Sequence, residues 1–160
     1  MTRYIDLHSI QSNEMIQQLQ DTEVYTASWS RIDSSWQPAY KYMCEIMEQE
    51  GVKTDGNPPI WAWAETEDDD IPQIARELLS EMDWKKGISV VYLQVPFEQV
   101  LLSSYFHWNM LLDESLETGQ IVVNDDLFSL ERLDGDDYIQ AVIPCIRSEW
   151  VHYVYPLKKF

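Results

Sequence analysis

Basic residues are scarce in this sequence, and their scarcity excludes several classes of function. The 160 residues include 11 Lys and Arg against 28 Asp and Glu, which gives a formal net charge of −17. Such a chain repels the phosphate backbone of nucleic acids and the anionic surface of membranes. We therefore expect no direct nucleic-acid binding and no membrane association, and we expect a charged partner to be basic. A surface adapted for solubility is the plainer interpretation of the same charge.

Glycine and cysteine are rare as well. Five Gly provide neither a glycine-rich phosphate loop nor a dinucleotide-binding fingerprint. The two cysteines, Cys44 and Cys145, are far apart and lack CxxC spacing, as expected for reduced core residues of a cytosolic protein. The N-terminus has no signal-peptide pattern, and no segment approaches the roughly 20 apolar residues of a membrane span. These absences predict a cytoplasmic location.

No metal site is predicted from the side chains that usually bind metals. His8, His107 and His152 have neither the H-x-x-x-H spacing nor a cysteine partner that a zinc site requires. The acidic clusters at 68–70 and 134–137 do not match a calcium-binding EF-hand loop. We interpret both clusters as solvated loop charge.

Aromatic residues are plentiful, with seven Trp and nine Tyr. The longest apolar stretch, Gly87 to Leu112, reads as a buried strand that turns at Pro96 and opens into an aromatic and polar cluster at 105–109. This stretch and the apolar face of a helix predict the core residues Ile88, Val90, Tyr92, Val100, Leu102, Met43 and Met47.

The remaining pattern alternates between strands and helices. We predict strands near 3–10, 60–63, 88–95, 100–102, 121–123, 138–143 and 150–157. We predict helices near 13–20, from Ser34 or Ser35 to Gly51, at 71–82 and near 124–132, with a helical turn at 144–149. In the last strand, His152 and Val154 alternate with Tyr153 and Tyr155. This order predicts one α+β domain over 1–160, with a curved, mostly antiparallel sheet and flanking helices.

Three patches resemble a family of small bacterial and phage proteins known only as a domain of unknown function. They are the first strand ending at Ile10-Gln11, the segment Pro59-Ile60-Trp61-Ala62-Trp63, and Val100-Leu101-Leu102-Ser103 followed by Trp108 and a Leu-rich end. The resemblance covers most of 1–112.

The sequence departs from that family's pattern at polar positions. Ser104 and Phe106 stand where the family has acidic residues, and Asn109 stands where it has a histidine. Pro72-Gln73-Ile74 does not reproduce the family's Asp-Leu-Arg. If those groups carried chemistry, this member has lost part of it.

The segment 139–144 is similar to the end of ADP-ribosyltransferase-type domains, which implies a split sheet and NAD as cofactor. The resemblance places Gln140 where that fold has the glutamate that serves the ribose of NAD. Glutamine keeps an acceptor but lacks the charge that stabilises an oxocarbenium-like transition state. We therefore predict no catalytic residue, and an active transferase is less favoured than a decayed one that still binds nucleotide.

Seven residues are candidates for ligand binding. The tryptophans of a strand could stack on a nucleobase or on a partner, and a histidine could hydrogen-bond a ligand, but core packing and capping are the plainer interpretations of both. No GxSxG elbow marks a serine nucleophile. The candidates are Trp61, Trp63, Ser103, Tyr105, His107, Asn109 and Gln140. The resemblance to ADP-ribosyltransferase-type domains implies that the strand ending at Ser103 and the strand carrying Gln140 are neighbours at the centre of the sheet. It also implies that Tyr105, His107, Asn109 and Gln140 line one cleft, with Trp61 or Trp63 at its wall.

Two functions are compatible with these observations. The first is a non-enzymatic, cofactor-free interaction protein whose acidic, aromatic surface binds a basic protein, and a phage or mobile-element inhibitor of host defence fits that description. The second is an NAD-binding ADP-ribosyltransferase-like enzyme or its decayed relative.

Overall fold

In the computed structural model, residues 2–64, 70–121, 127–128 and 138–158 are described. The strands are β1 (Tyr4–Ser12), β2 (Val24–Tyr25), β3 (Ile60–Ala64), β4 (Ile88–Pro96), β5 (Leu101–Ser104), β6 (Ile139–Ile143), β7 (Ile146–Arg147) and β8 (Val151–Leu157). The helices are α1 (Asn13–Thr22), α2 (Gln37–Gln49), α3 (Asp70–Leu78), α4 (Glu81–Lys86) and α5 (Tyr105–Thr118).

Six of the strands form one open sheet in the order β5-β6-β3-β1-β4-β8, and β2 pairs with β7 in a separate small sheet. Neighbouring strands of both sheets run antiparallel. The predicted α+β fold with a mostly antiparallel sheet and flanking helices is therefore confirmed.

One face of the large sheet is aliphatic. Leu7, Val91 and Leu93 point to this face from the central strands, and Met15 and Leu19 of α1 pack with them. Ser12 ends β1 and caps α1, because its side chain accepts a hydrogen bond from the Met15 backbone N–H. Strand and helix therefore meet at one capping residue, which directs the apolar side of α1 onto the sheet.

The opposite face is richer in aromatic residues. Helices α2 and α5 pack together over the β5–β6–β3 half of this face, through Met43 and Met47 on one side and Trp108 and Leu111 on the other. Helix α3 adds Ile71 and Ile74, which pack against Trp63 of β3 and Val90 of β4. The large apolar side chains of the central stretch are thus divided between the two faces.

Two helix predictions were wrong in their boundaries. The predicted helix at 71–82 is divided, because Ser80 caps α4 and forms a reciprocal capping box with Asp83. The aromatic cluster at 105–109 is the first part of α5, whereas we expected it to be an opening at the end of a strand. Trp36 lies at the N-cap of α2 and is exposed, although periodicity placed it on the apolar face.

Other corrections concern the C-terminal part and the core. Residues 146–147 form β7, where a helical turn was predicted, and a short 3₁₀ turn at 148–150 follows. In the predicted core, Ile88, Val90, Met43 and Met47 are buried, but Tyr92, Val100 and Leu102 are only half-buried. The prediction failed for Val100 and Leu102 because they lie at β5, which is an edge strand of the sheet.

Some predicted features lie outside the described residues. They are the strand at 122–123, most of the helix near 124–132, the acidic turn at 134–137 and most of the acidic run at 65–70. Among the helices that are described, none has the length and apolar character needed to cross a membrane.

Candidate functional site

One register row crosses the aromatic face of the sheet through all six strands. Residues directly opposite each other in antiparallel strands point to the same face. The pairings of adjacent strands therefore align one side chain from each strand, in the order Ser103, Gln140, Trp63, His8, Tyr92 and Tyr153. We call this set the transverse row. It brings together three of the seven predicted site residues, Ser103, Gln140 and Trp63.

At its β5–β6 end the transverse row is polar and buried. The side-chain amide of Gln140 donates a hydrogen bond to the Ser103 hydroxyl at 3.0 Å. Ser103 is fully buried and Gln140 is 2% exposed. A buried polar pair of this kind is stable because the two groups satisfy each other. The two strands were expected to be neighbours and are, but β5 lies at the edge of the sheet and not at its centre.

Aromatic rings pack around the middle of the row. The ring of Tyr105, at the start of α5, meets Trp63 edge-on with centroids 4.8 Å apart. Tyr138 lies 6.3 Å from both rings. Edge-to-face pairs of this type stabilise the fold beyond the area that they bury. The two predicted site residues Tyr105 and Trp63 therefore lie side by side, and their rings pack against each other.

A capping serine fixes the next candidate, His107. The hydroxyl of Ser104 accepts the backbone N–H of His107 at 3.2 Å and lies 3.0 Å from its Nδ1. Ser104 is thus the N-cap of α5, and it also orients the imidazole of His107. Sequence reasoning singled out Ser103 and missed Ser104. The signal was present as a serine immediately before a stretch with helical spacing.

Trp61 belongs to a separate aromatic cluster under α2 and α5. Its ring lies 4.8 Å from that of Trp108 and 5.7 Å from that of Tyr40. Burial raises the pKa of Tyr40, and the neighbouring Trp61 side chain partly offsets this rise. Tyr40 thus remains a neutral phenol that contributes a polar group to the cluster.

A β-bulge shapes the exposed end of the transverse row. Tyr92 lies opposite Tyr153 but Leu93 lies opposite Val151, so His152 is an additional residue in β8. The Tyr153 ring stacks on Tyr92 at 4.8 Å, and the His152 ring meets Tyr92 edge-on at 5.7 Å. The predicted strict alternation of His152 and Tyr153 was therefore wrong, since a bulge turns both toward one ring.

The outer face of α5 combines exposed apolar side chains with acidic ones. Phe106 and Met110 are 57% and 41% exposed. Asp113 and Glu117 are exposed on the same side, because their spacing of seven and eleven residues from Phe106 follows the helical period. We call these four residues the acidic–apolar stripe.

The acidic end of the stripe interacts unfavourably with the dipole of its own helix. Helix α5 contains no Lys or Arg, and its acidic residues lie toward its C-terminal end. The last turn carries partial negative charge, so the Glu117 carboxylate there is unfavourable by roughly 0.3–1 kcal/mol at low ionic strength. Sequence reasoning missed this surface because it divided α5 between a strand end and a polar turn.

The predicted cleft itself stays a prediction. Asn109 is half-buried on α5, and the side chains of Gln140 and His107 are hydrogen-bonded as described above. Two described cavities lie beside the β2–β7 sheet and include none of the seven candidates in their lining. Within the described residues, no group of His, Cys, Asp and Glu side chains is placed to hold a metal ion.

Comparison with known proteins identifies a family. No curated protein and no solved structure matches the chain. A family model described as a domain of unknown function (DUF3841) matches residues 6–117, from β1 to the last turn of α5. The match includes the whole stripe and leaves the ADP-ribosyltransferase-like segment outside it. Since it spans more than half of the 160 residues, this chain belongs to the DUF3841 family.

Proposed function

We propose that this protein is a non-enzymatic interaction protein that binds a basic partner through the acidic–apolar stripe of α5. The observation that carries the proposal is the stripe itself. Phe106 and Met110 are exposed on a helix that also exposes Leu116, that has no Lys or Arg, and whose other outward residues are mostly acidic. Exposed apolar groups flanked by charge are typical of protein-binding surfaces.

The apolar part of the stripe supplies affinity. Fully burying a Phe or Met side chain contributes about 1.5–3 kcal/mol. Phe106 is a rigid ring suited to a pocket, while Met110 is flexible and adapts to an irregular surface. A partner helix or strand with apolar residues would cover both, and a few such residues commonly dominate the energy of an interface.

The acidic part supplies charge selectivity. Asp113 and Glu117 continue the stripe toward the helix C-terminus, and Glu117 in the last turn is unfavourable in the free protein. A Lys or Arg from a partner would relieve that cost and would approach faster because of the net charge of −17. Residues that break a local rule in this way are expected at functional sites.

This chemistry fits a small inhibitor that occupies the basic surface of another protein. A phage or mobile-element protein that blocks a host defence factor would work in this way, since many such factors bind nucleic acid through basic surfaces. On this proposal, the acidic stripe competes with the phosphate backbone for the same cations.

Affinity capture at two salt concentrations tests the proposal. The full chain should recover a basic protein from a bacterial lysate at low salt and release it at high salt, because exposed charge pairs are screened. The double variant Asp113→Asn/Glu117→Gln should recover less of it. The matched control Glu45→Gln/Glu50→Gln removes the same charge from α2 and should behave like the wild type.

Two results of these experiments would contradict the proposal. If the stripe variant and the α2 control recover equal amounts of the basic protein, the effect arises from net charge alone. The stripe would then not be the binding surface. Recovery that does not change with salt would contradict the electrostatic part of the proposal.

An NAD-binding function is the second candidate, and it rests on the similarity of segment 139–144, which holds Gln140, to the end of ADP-ribosyltransferase-type domains. NAD at this position would have to break the buried Gln140–Ser103 hydrogen bond. Calorimetric titration with NAD tests it, and absence of heat at millimolar ligand would end the idea. If NAD binds, Gln140→Glu should restore hydrolysis or transfer, whereas binding without either would leave a nucleotide-binding protein.

A further inference from the structure

A groove beside the β2–β7 sheet has the dimensions of a small-molecule site. One cavity of about 400 Å³ lies between that sheet and the loop 51–57. A second cavity of about 450 Å³ lies along residues 25–31. Thr26 and Asn57 line both cavities, so the two form one groove, which we call the β2–β7 groove. Each part lies within the range of roughly 300–1,000 Å³ that is typical of ligand pockets.

The loop that forms one wall of the groove is fixed from several sides. The Glu48 carboxylate accepts both the backbone N–H and the hydroxyl of Thr54, at 2.9 and 2.8 Å. The indole N–H of Trp29 donates to the Gly56 carbonyl at 2.7 Å. The Cys44 thiol donates to the Asn57 carbonyl at 3.6 Å, and burial raises the pKa of Cys44 to about 11. A wall held in this way is preorganised, which reduces the cost of binding a ligand.

Three cationic side chains lie at the groove, and one of them, Arg31, is ion-paired with Glu14 at 3.7 Å. Lys53 and Arg147 line the first cavity and Arg31 lines the second. The guanidinium of Arg147 lies over the buried ring of Trp150, with 6.0 Å to the centroid. Within the part of the chain that the structure describes, neither Lys53 nor Arg147 forms an ion pair. Arg147 also hydrogen-bonds the Cys145 thiol, and Lys53 lies within electrostatic range of Glu48. An oxyanion in the groove would therefore share these two cations with the groups that they already contact.

Acceptors are present at the same place. Asp55 and Glu98 line the first cavity beside the two cations, and the side chains of Asn57 and Thr26 add neutral polar groups. Asp55 has φ of 53°, a left-handed conformation that few residues other than glycine adopt. A wall with both cations and carboxylates is suited to a ligand that itself carries an oxyanion and a hydrogen-bond donor.

We propose that the β2–β7 groove binds a small molecule that carries a carboxylate or phosphate group with an amine or hydroxyl group beside it. Lys53 and Arg147 would receive the oxyanion, and Asp55 and Glu98 would accept hydrogen bonds from the amine or hydroxyl. This site does not depend on the acidic–apolar stripe, since none of the stripe residues lines the groove.

Titration of the isotopically labelled full chain, followed by NMR, tests the proposal. The two probes are glutamate and O-phosphoserine, which share an amine and differ in the second oxyanion, and sodium chloride at equal ionic strength is the reference. We expect saturable shifts at the amides of Thr26, Lys53 and Asn57 with at least one probe. A response to both probes shows that a carboxylate is sufficient. A response to O-phosphoserine alone shows that phosphate is required.

Charge-removing variants decide whether the shifts report this site. Lys53→Met and Arg147→Gln should each raise the dissociation constant about tenfold or more, because each removes a charged hydrogen-bond donor. Lys85→Met is the matched control, since Lys85 lines neither cavity, and it should bind as the wild type does. If Arg147→Gln fails to fold, Lys53→Met alone decides. Shifts that do not saturate, or that sodium chloride reproduces, would overturn the proposal, as would wild-type affinity in Lys53→Met.

Discussion

Helices α2 and α5 pack side by side on one face of the sheet, yet their outer surfaces differ. Each buries a matching inner face, with Met43 in α2 and Leu111 in α5. The outward positions of α2 carry Lys41, Glu45 and Glu48. The positions with the same spacing in α5 carry Phe106, Met110 and Asp113.

The difference separates what the fold requires from what it does not. An amphipathic helix with a polar outer face is sufficient to cover a sheet, as α2 shows. The exposed apolar residues of α5 bury little area in the free protein, so folding alone does not account for them. Helix α5 therefore exposes a surface that its packing on the sheet does not require.

The largest expected effect comes from the inner faces, where the two helices should behave alike. Met43→Ala and Leu111→Ala each remove a buried side chain and leave a cavity, so each should cost about 2–5 kcal/mol of unfolding free energy. Chemical denaturation of both variants measures this. A loss below half a kilocalorie for Leu111→Ala would mean that α5 does not pack as described.

The helix N-termini should differ by a smaller amount. Ser104 caps α5 through its hydroxyl, whereas Trp36 at the N-cap of α2 makes no side-chain capping bond. Ser104→Ala should therefore cost about 0.5–2 kcal/mol. Trp36→Ala should cost less, because its ring is exposed and supplies no cap. Thermal unfolding of both variants checks the order, and a larger loss for Trp36→Ala would reverse our assignment of the caps.

A pH effect on the outer face of α2 is the smallest of these predictions. The backbone N–H of Thr54 and then its hydroxyl hold the pKa of Glu48 below its usual value. A lowered pKa in the folded state contributes stability above the unfolded value of about 4.3, and this is lost as pH falls through the folded pKa. Glu48→Gln removes the titrating group but keeps an acceptor. The melting temperature of the wild type should exceed that of Glu48→Gln at pH 7, and the gap should close below about pH 4.

A matched variant controls for the general effect of charge removal. Glu45→Gln changes the same face of α2 at a residue with no hydrogen bond to the described residues. Its difference from the wild type should not follow the same pH profile. A constant gap between wild type and Glu48→Gln across the range would mean that Glu48 does not stabilise the loop through its charge.

The sequence predicted those parts of the fold that depend on local periodicity. The inner residues of α2, Met43 and Met47, follow the helical period, and Ile88 to Val95 is a continuous apolar run. Periodicity did not predict α5, because Phe106 and Met110 are apolar residues on its outer side. They weaken the helical pattern of apolar and polar residues.

The candidate site depended on pairings that local patterns do not encode. Ser103 and Gln140 are 37 positions apart in the chain, and their contact follows from the register of β5 and β6. The prediction that their strands are neighbours came from a resemblance and not from spacing. The bulge that turns His152 toward Tyr92 likewise arises from one additional residue in β8, which no alternation pattern reveals.

The most direct test of the account is the affinity of two matched double variants for the basic protein that the wild type captures. Phe106→Ser/Met110→Ser removes the apolar part of the stripe. Leu78→Ser/Met82→Ser removes two side chains that are 49% and 61% exposed on α3 and α4. We predict that both variants keep the wild-type unfolding free energy within about 0.5 kcal/mol, because all four positions are exposed. Only the α5 variant should lose affinity, by about tenfold or more. Equal affinity of the two variants would contradict the central claim that α5 presents a binding surface.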